Sequence, residues 1–291
     1  MNSRENFKAE RIKMIKKEGI IGIAYHKKYF TYKDDIFTPI HVGSRTSSVI
    51  LDYIRDDIGE NISNKNKNYC ELTGIYWMWK NVDANYYGLM HYRRYLTLED
   101  NFKYKIKRGL YYIGRKFNLN FIIKKLGMVE LYQIKKSDEN YVKRRISEFS
   151  GEISELMKEY DVILPKKEVF GIKVYDQYKS IHIVEHMDIL LNIIEKKYPK
   201  IYSYFEKGIK EKSYSYCTNM FVMKKEYFNE YASFIFDVLF ELERNIEIPV
   251  DNYQSRVFGF LSERLMLPFI SYLRNEKNIK IKELNILFLE K

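Results

Sequence analysis

The chain sets His91-Tyr92-Arg93-Arg94 directly after residues 86–90 (YYGLM), a short apolar run with the composition of a buried strand. One imidazole and two guanidiniums at the end of such a strand are an uncommon use of charge. In open α/β sheets, ligands bind in the crevice outside the carboxyl ends of the strands, which is where these side chains would fall. Paired guanidiniums match phosphate oxygens in a fixed, bidentate geometry, so the chemistry that fits is capture of an anion, most simply a diphosphate. The plainer reading is an arginine pair solvated at a loop edge. A second instance of the pattern weighs against it: Gly19–Tyr25 (GIIGIAY) reads as a buried strand and runs into His26-Lys27-Lys28. No glycine-rich phosphate loop follows that strand, so contacts to a nucleotide would come from side chains.

Four other places carry candidate chemistry. In 251–264 (DNYQSRVFGFLSER), Arg256, Gly259 and Glu263 fall at i, i+3 and i+7 on one helical face, with Val257, Leu261 and Leu265 on another. Asp251 would sit near the N-terminal end of that helix, where the dipole favours a carboxylate. Either Asp251 or Glu263 can serve as a base; the structural alternative is a capping aspartate and a Glu–Arg pair. Asn219 lies at the polar entrance of 216–223 (YCTNMFVM), read as a strand, and is a pocket candidate. His182 and His186 stand four apart in a stretch read as helical from about Ser180, a metal-compatible spacing, but the HExxH word is absent. His182 is instead a substrate-facing candidate. Asp56-Asp57 is an adjacent pair in a loop-like context, better read as a solvated turn than as a metal site. No Asp-x-Asp word follows any apolar strand, so no divalent cation is expected, magnesium or manganese being the alternative.

These groups need a scaffold. A chain of 291 residues, 46% hydrophobic and 31% charged, can bury one core, or one core with an inserted lobe. The two cysteines, Cys70 and Cys217, have neither CxxC nor metal-ligand spacing, which fits a reduced, cytoplasmic setting. The N-terminal residues show no apolar signal-peptide core, and no uninterrupted apolar run is long enough to span a bilayer. A net charge of +11 suits phosphorylated substrates or an anionic membrane face. Nucleic acid is not expected as a partner, since no helix-turn-helix, RNP-type or zinc-finger word is present. Ser63 is read as the N-cap of a helix that carries Tyr69, Leu72, Tyr76 and Trp79 on one stripe. Residues 101–150 shift to a basic, aromatic and then helical composition and read as an insertion within a single domain spanning 1–291. Its first half, 103–125, is either a lid or a peripheral contact with an anionic membrane. Residues 270–291 read as a basic amphipathic tail.

The words NIS-x-KN-x-x-YCELT-x-x-YW-x-WKN (61–81), Y-x-GL-x-HYRRY (86–95) and R-x-x-GF-x-x-ERL (256–265) resemble those of a bacterial capsular and exopolysaccharide glycosyltransferase family. That family was long catalogued as a domain of unknown function, and some members are galactofuranosyltransferase-like. Its members also begin with a strand followed by HKK. The resemblance spans about 19–98 and 158–270. It implies an α/β, GT-A-like nucleotide-binding fold, a mixed sheet flanked by helices, and transfer of a sugar from a nucleotide-diphosphate donor, a UDP-sugar first, to a glycan or lipid-linked glycan. Such a reaction needs a clamp on the leaving diphosphate, a base for the acceptor hydroxyl if the anomeric centre inverts, and a sugar pocket. His26, Lys27, Lys28, Arg93 and Arg94 are the clamp candidates, with His91 and Tyr92 beside them. Asp251 and Glu263 are the base candidates. Asn66, Glu71, His182, Asn219 and Arg256 complete the binding set. The alternative from another class is a non-catalytic polysaccharide-assembly or membrane-scaffold protein, which would not need cations converging from two strand ends.

Overall fold

In the computed structural model, residues 14–100, 106–107, 109–111, 113–114, 117 and 133–290 are described. The first elements are β1 (Ile15–Lys16), β2 (Gly19–Tyr25), β3 (Phe37–His41), β4 (Ile54–Arg55), α1 (Asn66–Tyr69) and α2 (Leu72–Asn81). Next come β5 (Val82–Asp83), β6 (Tyr86–His91), β7 (Arg94–Thr97), β8 (Gln133–Lys136), α3 (Glu139–Glu159) and β9 (Val162–Pro165). β10 (Glu168–Val169), α4 (Val174–Lys179), α5 (Val184–Lys197), α6 (Tyr202–Lys210) and β11 (Tyr214–Ser215) follow. The chain closes with β12 (Phe221–Lys224), α7 (Lys225–Asn245), α8 (Val257–Lys277) and β13 (Ile281–Leu289).

β2 is buried at all seven positions, as a strand covered on both faces must be. It lies parallel between β3 and β6, and β4 extends the same parallel run. The main sheet has the order β12-β9-β13-β7-β6-β2-β3-β4, with β8 paired to β13. β12 also pairs antiparallel with β6, so that β6, β12, β9, β13 and β7 form a closed ring. One face of the sheet packs on α2, α5, α6, α7 and α8. The other is covered by α3 through Val142, Ile146, Phe149, Ile153 and Met157. Gly22 permits close packing on the α2 side: a Cβ there would lie 2.7 Å from Ile40 Cδ1 and 2.9 Å from Met78 Sδ. The architecture is the mixed α/β sheet flanked by helices that the family resemblance implies.

Several local expectations are corrected. The helix expected after Ser63 is broken at Cys70, whose φ is +52°, into α1 and α2. Ser63 does not cap it; its Oγ donates to Asp56 and accepts from the Arg45 N–H. Asp56 is fully buried and accepts from both backbone and side chain, Gly43 N, Ser44 N and Ser44 Oγ among them, while Asp57 pairs with Arg55 at 2.6 Å. The aspartates are thus structural, but Asp56 is buried where a solvated turn was expected. The helix expected from about Ser180 starts only at Val184, as α5; α4 has ended at Lys179, and His182 lies in the turn between them, off any face shared with His186. The expected strand 216–223 shortens to β12, because Thr218 and Asn219 both adopt positive φ.

The expected tail after residue 270 is the end of α8 followed by β13, a strand in the middle of the sheet, flanked by β7 on one side and by β9 and β8 on the other. Its run ILFL (286–289) is the apolar signature of a strand buried on both sides. The helical half of the 101–150 insertion is α3, which continues to Glu159 and is part of the core, so the boundary at 150 falls inside a helix. Most of 103–125 lies outside the described residues. Within it, Tyr111 is buried and Phe117 exposed.

Candidate active site

The carboxyl ends of β2, β3 and β6 reach one edge of the sheet, and a cavity of about 590 Å³ opens there. Ala24 and His26 line it from β2, Val42 from β3, and His91, Tyr92, Arg93 and Arg94 from β6 and the turn into β7. The opposite wall comes from helix starts. Asn66, Lys67, Cys70 and Glu71 stand where α1 breaks, and Asn252, Arg256 and Glu263 approach through α8 and the turn before it. Gly259, between the last two, is in contact range of Cys70: a Cβ on it would sit 3.1 Å from that Sγ. Glycine at this helical position lets α8 approach closely enough for Arg256 Nε to donate to Cys70 Sγ at 3.2 Å.

Charge in the cavity is unbalanced. Nε of Arg93 and Nε of Arg94 are both buried without a hydrogen-bond acceptor. Among the described residues neither guanidinium is in an ion pair; both lie over the Phe288 ring, at 5.1 and 5.2 Å. Burial, and then the charge of Arg93, lower the pKa of Arg94. Among the described residues Arg256 has a thiol as its one side-chain acceptor, a weak one. All three arginines line the cavity, and three cations gathered there define a place for an anion.

Two carboxylates face these cations. Glu263 Oε1 accepts from the Thr218 N–H at 3.2 Å and Oε2 from Arg264 at 2.9 Å. Burial raises the pKa of Glu263; Arg264 opposes the rise and the neighbouring Glu71 carboxylate adds to it. Glu71 Oε1 accepts from Asn219 Nδ2 at 2.8 Å, and that amide also donates to Ser262 Oγ. The loop that holds both acids is strained. Of the four non-glycine residues with positive φ among those described, Cys70 and Thr218 line the cavity and Asn219 adjoins it. A β-branched threonine at φ +88° is an outlier that its surroundings must enforce. Here its N–H serves Glu263 and its carbonyl accepts from His91 Nε2 at 2.5 Å. A carbonyl can only accept, so His91 carries a proton on Nε2, which leaves Nδ1 for other partners.

His26, Asn66, Glu71, His91, Tyr92, Arg93, Arg94, Arg256 and Glu263 therefore meet in one cavity, as the sequence suggests. Five candidates do not line it. Lys27 and Lys28 are exposed just beyond β2, Lys27 with its ammonium 5.5 Å from the Tyr92 ring centre. Asn219 is buried behind the wall and positions Glu71. His182 is stacked on Phe260 at 4.1 Å and bonded to Gln254. Asp251 is exposed, and its Oδ1 accepts from the backbone N–H groups of Tyr253 and Gln254. That is a capping carboxylate, and its oxygens face the turn it closes. Asp251→Ala is expected to cost about 1 kcal/mol in thermal unfolding and to leave turnover near wild type, since only a cap is lost.

Sequence reasoning missed Glu168, Thr218 and Cys70. Glu168 of β10 stands opposite Ser215, whose Oγ reaches the Glu263 carbonyl at 3.5 Å. Burial, then the Glu263 charge, push the Glu168 pKa up to about 7. Among the described residues no three His, Cys, Asp or Glu side chains gather as a metal site. Both oxygens of Glu263 are engaged, by the Thr218 N–H and Arg264, and Oε1 of Glu71 by Asn219.

The chain belongs to the family described as "Domain of unknown function (DUF4422)", which matches residues 20–276. Its fold is similar to that of a solved structure described as the apo form of the bifunctional glycosyltransferase WbbM, with a TM-score of 0.80 and 29% sequence identity. The match covers 94% of this chain and 46% of that one, so the chain spans less than half the length of that enzyme. No curated protein matches the chain.

Proposed function

We propose that the chain is a glycosyltransferase that moves a sugar from a nucleotide-diphosphate donor to a hydroxyl of a growing capsular or exopolysaccharide glycan, or of a lipid-linked one. The observation that carries this reading is the cluster of positive charge, Arg93, Arg94 and Arg256, which lines one cavity with Glu263 and is in no ion pair among the described residues. The likeness to a glycosyltransferase supports it. A UDP-sugar is the proposed donor, with galactofuranose or another hexose as the sugar. As the glycosidic C–O bond breaks, its electron pair goes to the diphosphate oxygen, and Arg93 and Arg94 take up the developing charge. Glu263 accepts the proton of the acceptor hydroxyl, which then bonds to the anomeric carbon with inversion. The reaction is proposed to need no divalent metal, because guanidiniums hold the electrostatic position that a metal would otherwise fill. The proposed setting is cytoplasmic, at the inner face of the cell membrane.

A panel of nucleotide sugars, assayed for hydrolysis with and without a chelator, tests this. Turnover of a UDP-sugar, unchanged by the chelator, is the expected result. Loss of turnover that manganese or magnesium restores would give the arginines' place to a metal. No saturable binding of UDP or GDP would favour the non-catalytic assembly role.

A further inference from the structure

Of the two histidines that line the cavity, His91 is committed, with Nε2 on the Thr218 carbonyl. His26 is not. It follows β2, is exposed where it lines the cavity, and meets the Tyr92 ring edge-on at 5.1 Å. Positive charge surrounds it from each element packed there: Lys27 beside it after β2, His91 and Arg93 at the end of β6, and Arg256 in the turn before α8. Tyr92 gathers two of the same charges, with Lys27 Nζ and the Arg93 guanidinium each 5.5 Å from its ring centre. Arg94 and Lys67 line the same walls. The carboxylates of the cavity are turned elsewhere, both Glu263 oxygens to Thr218 and Arg264, and Glu71 Oε1 to Asn219. The walls strip water from the His26 imidazole and so lower its pKa, and Lys27, Arg256, His91 and Arg93 lower it further. An imidazole so placed is neutral at pH 7 in the free protein.

We propose that the cavity takes up a proton together with its anion, and that His26 carries it. The cations that keep a proton off His26 are the ones that attract a diphosphate. Once negative charge lies among them, their repulsion on the imidazole is offset and its charged form is favoured. His26 then becomes a further cation of the clamp, donating an N–H to a phosphate oxygen in a charge-assisted hydrogen bond. The proton comes from solvent, to which the ring is open, and returns there when the anion leaves. By linkage, His26 binds more protons in the complex than in the free protein. Affinity is therefore full below the free-state pKa and declines as pH rises from there to that of the complex. Glu263 asks for the opposite, since a base is lost as pH falls, so anion capture and base catalysis pull on pH from two sides. That the anion is a nucleotide diphosphate rests on the glycosyltransferase reading; the proton uptake does not.

The test is a pH titration of the imidazole C–H resonances of the full chain, alone, with UDP and with inorganic pyrophosphate. The chain has 5 histidines, and the signal missing from His26→Gln is that of His26; the side chain is exposed, so the substitution leaves the fold intact. In the free protein its midpoint should lie below the ordinary histidine value, and either ligand should raise it by about one unit or more. UDP affinity, taken as the ratio of wild type to His26→Gln so that the ligand's own titration cancels, should favour wild type about tenfold more near pH 5 than near pH 8. Pyrophosphate raising the midpoint while UDP fails to bind would uphold the proton uptake and overturn the nucleotide reading. Saturable UDP binding that leaves the His26 midpoint in place overturns the proposal, as does a shift confined to another histidine. So does a midpoint that neither ligand moves, or one already at or above the ordinary value in the free protein.

Discussion

Arg93→Ala and Arg94→Ala are each expected to cut turnover by about a hundred- to a thousand-fold, corresponding to roughly 2.7–4 kcal/mol of lost transition-state stabilisation. The sequence leaves room for one of the two to face solvent. The structure does not: both line the cavity, and both have a buried Nε without an acceptor. Donors fixed in advance at the place where charge develops need not reorganise during the reaction, which is why each is worth so much. Lysine at either position should restore only part of the loss, since an ammonium lacks the planar fork. Steady-state kinetics with a UDP-sugar reads the effect. Near-normal turnover in both variants would show that the pair is structural, resting on Phe288 and serving no substrate.

Glu263→Gln should keep donor binding and lose turnover by about a hundredfold or more, the range that a positioned general base supplies. The wild type carries a second signature. A base works when deprotonated, so activity falls as pH drops through its pKa. Burial raises that pKa, with Glu71 adding to the rise, so the acid limb of kcat/KM should lie above the ordinary glutamate range and vanish in the variant. Titrated UDP binding and a pH–rate profile separate the outcomes. A variant that binds donor and turns it over normally would reduce Glu263 to the partner of Arg264 and Thr218.

The two strand ends were legible because of how parallel strands are covered. β2 and β6 are almost wholly buried, so each reads as an unbroken apolar run, and the first charged residues after it mark the sheet's edge. Arg256 and Glu263 were legible together because helical periodicity puts them on one face. The role of Asp251 was not, since a base and a helix cap ask for the same carboxylate at the same place. Glu168 was hidden among 39 acidic residues; its approach to Glu263 depends on the β10–β11 ladder, a pairing that no local pattern announces. The left-handed turn at Thr218 contradicts its residue type, so propensity points the wrong way. β13 was misread because its charged opening, KIKEL, resembles a solvated helix until the sheet supplies neighbours on both sides.

The position of β13 bears on when the site comes into being. Arg94 pairs with Phe288 across the β7–β13 ladder, and the Phe288 ring lies beneath both guanidiniums. Every residue proposed to touch substrate is upstream of that strand, yet the arginines have no floor until it docks. Pairing between segments so far apart in sequence forms slowly, because the intervening chain must first close as a loop. Strand and ring thus act as a final assembly check: a chain that has gathered its ligand-binding residues but not threaded β13 would hold two mutually repelling cations on an unsupported turn, and would remain inert.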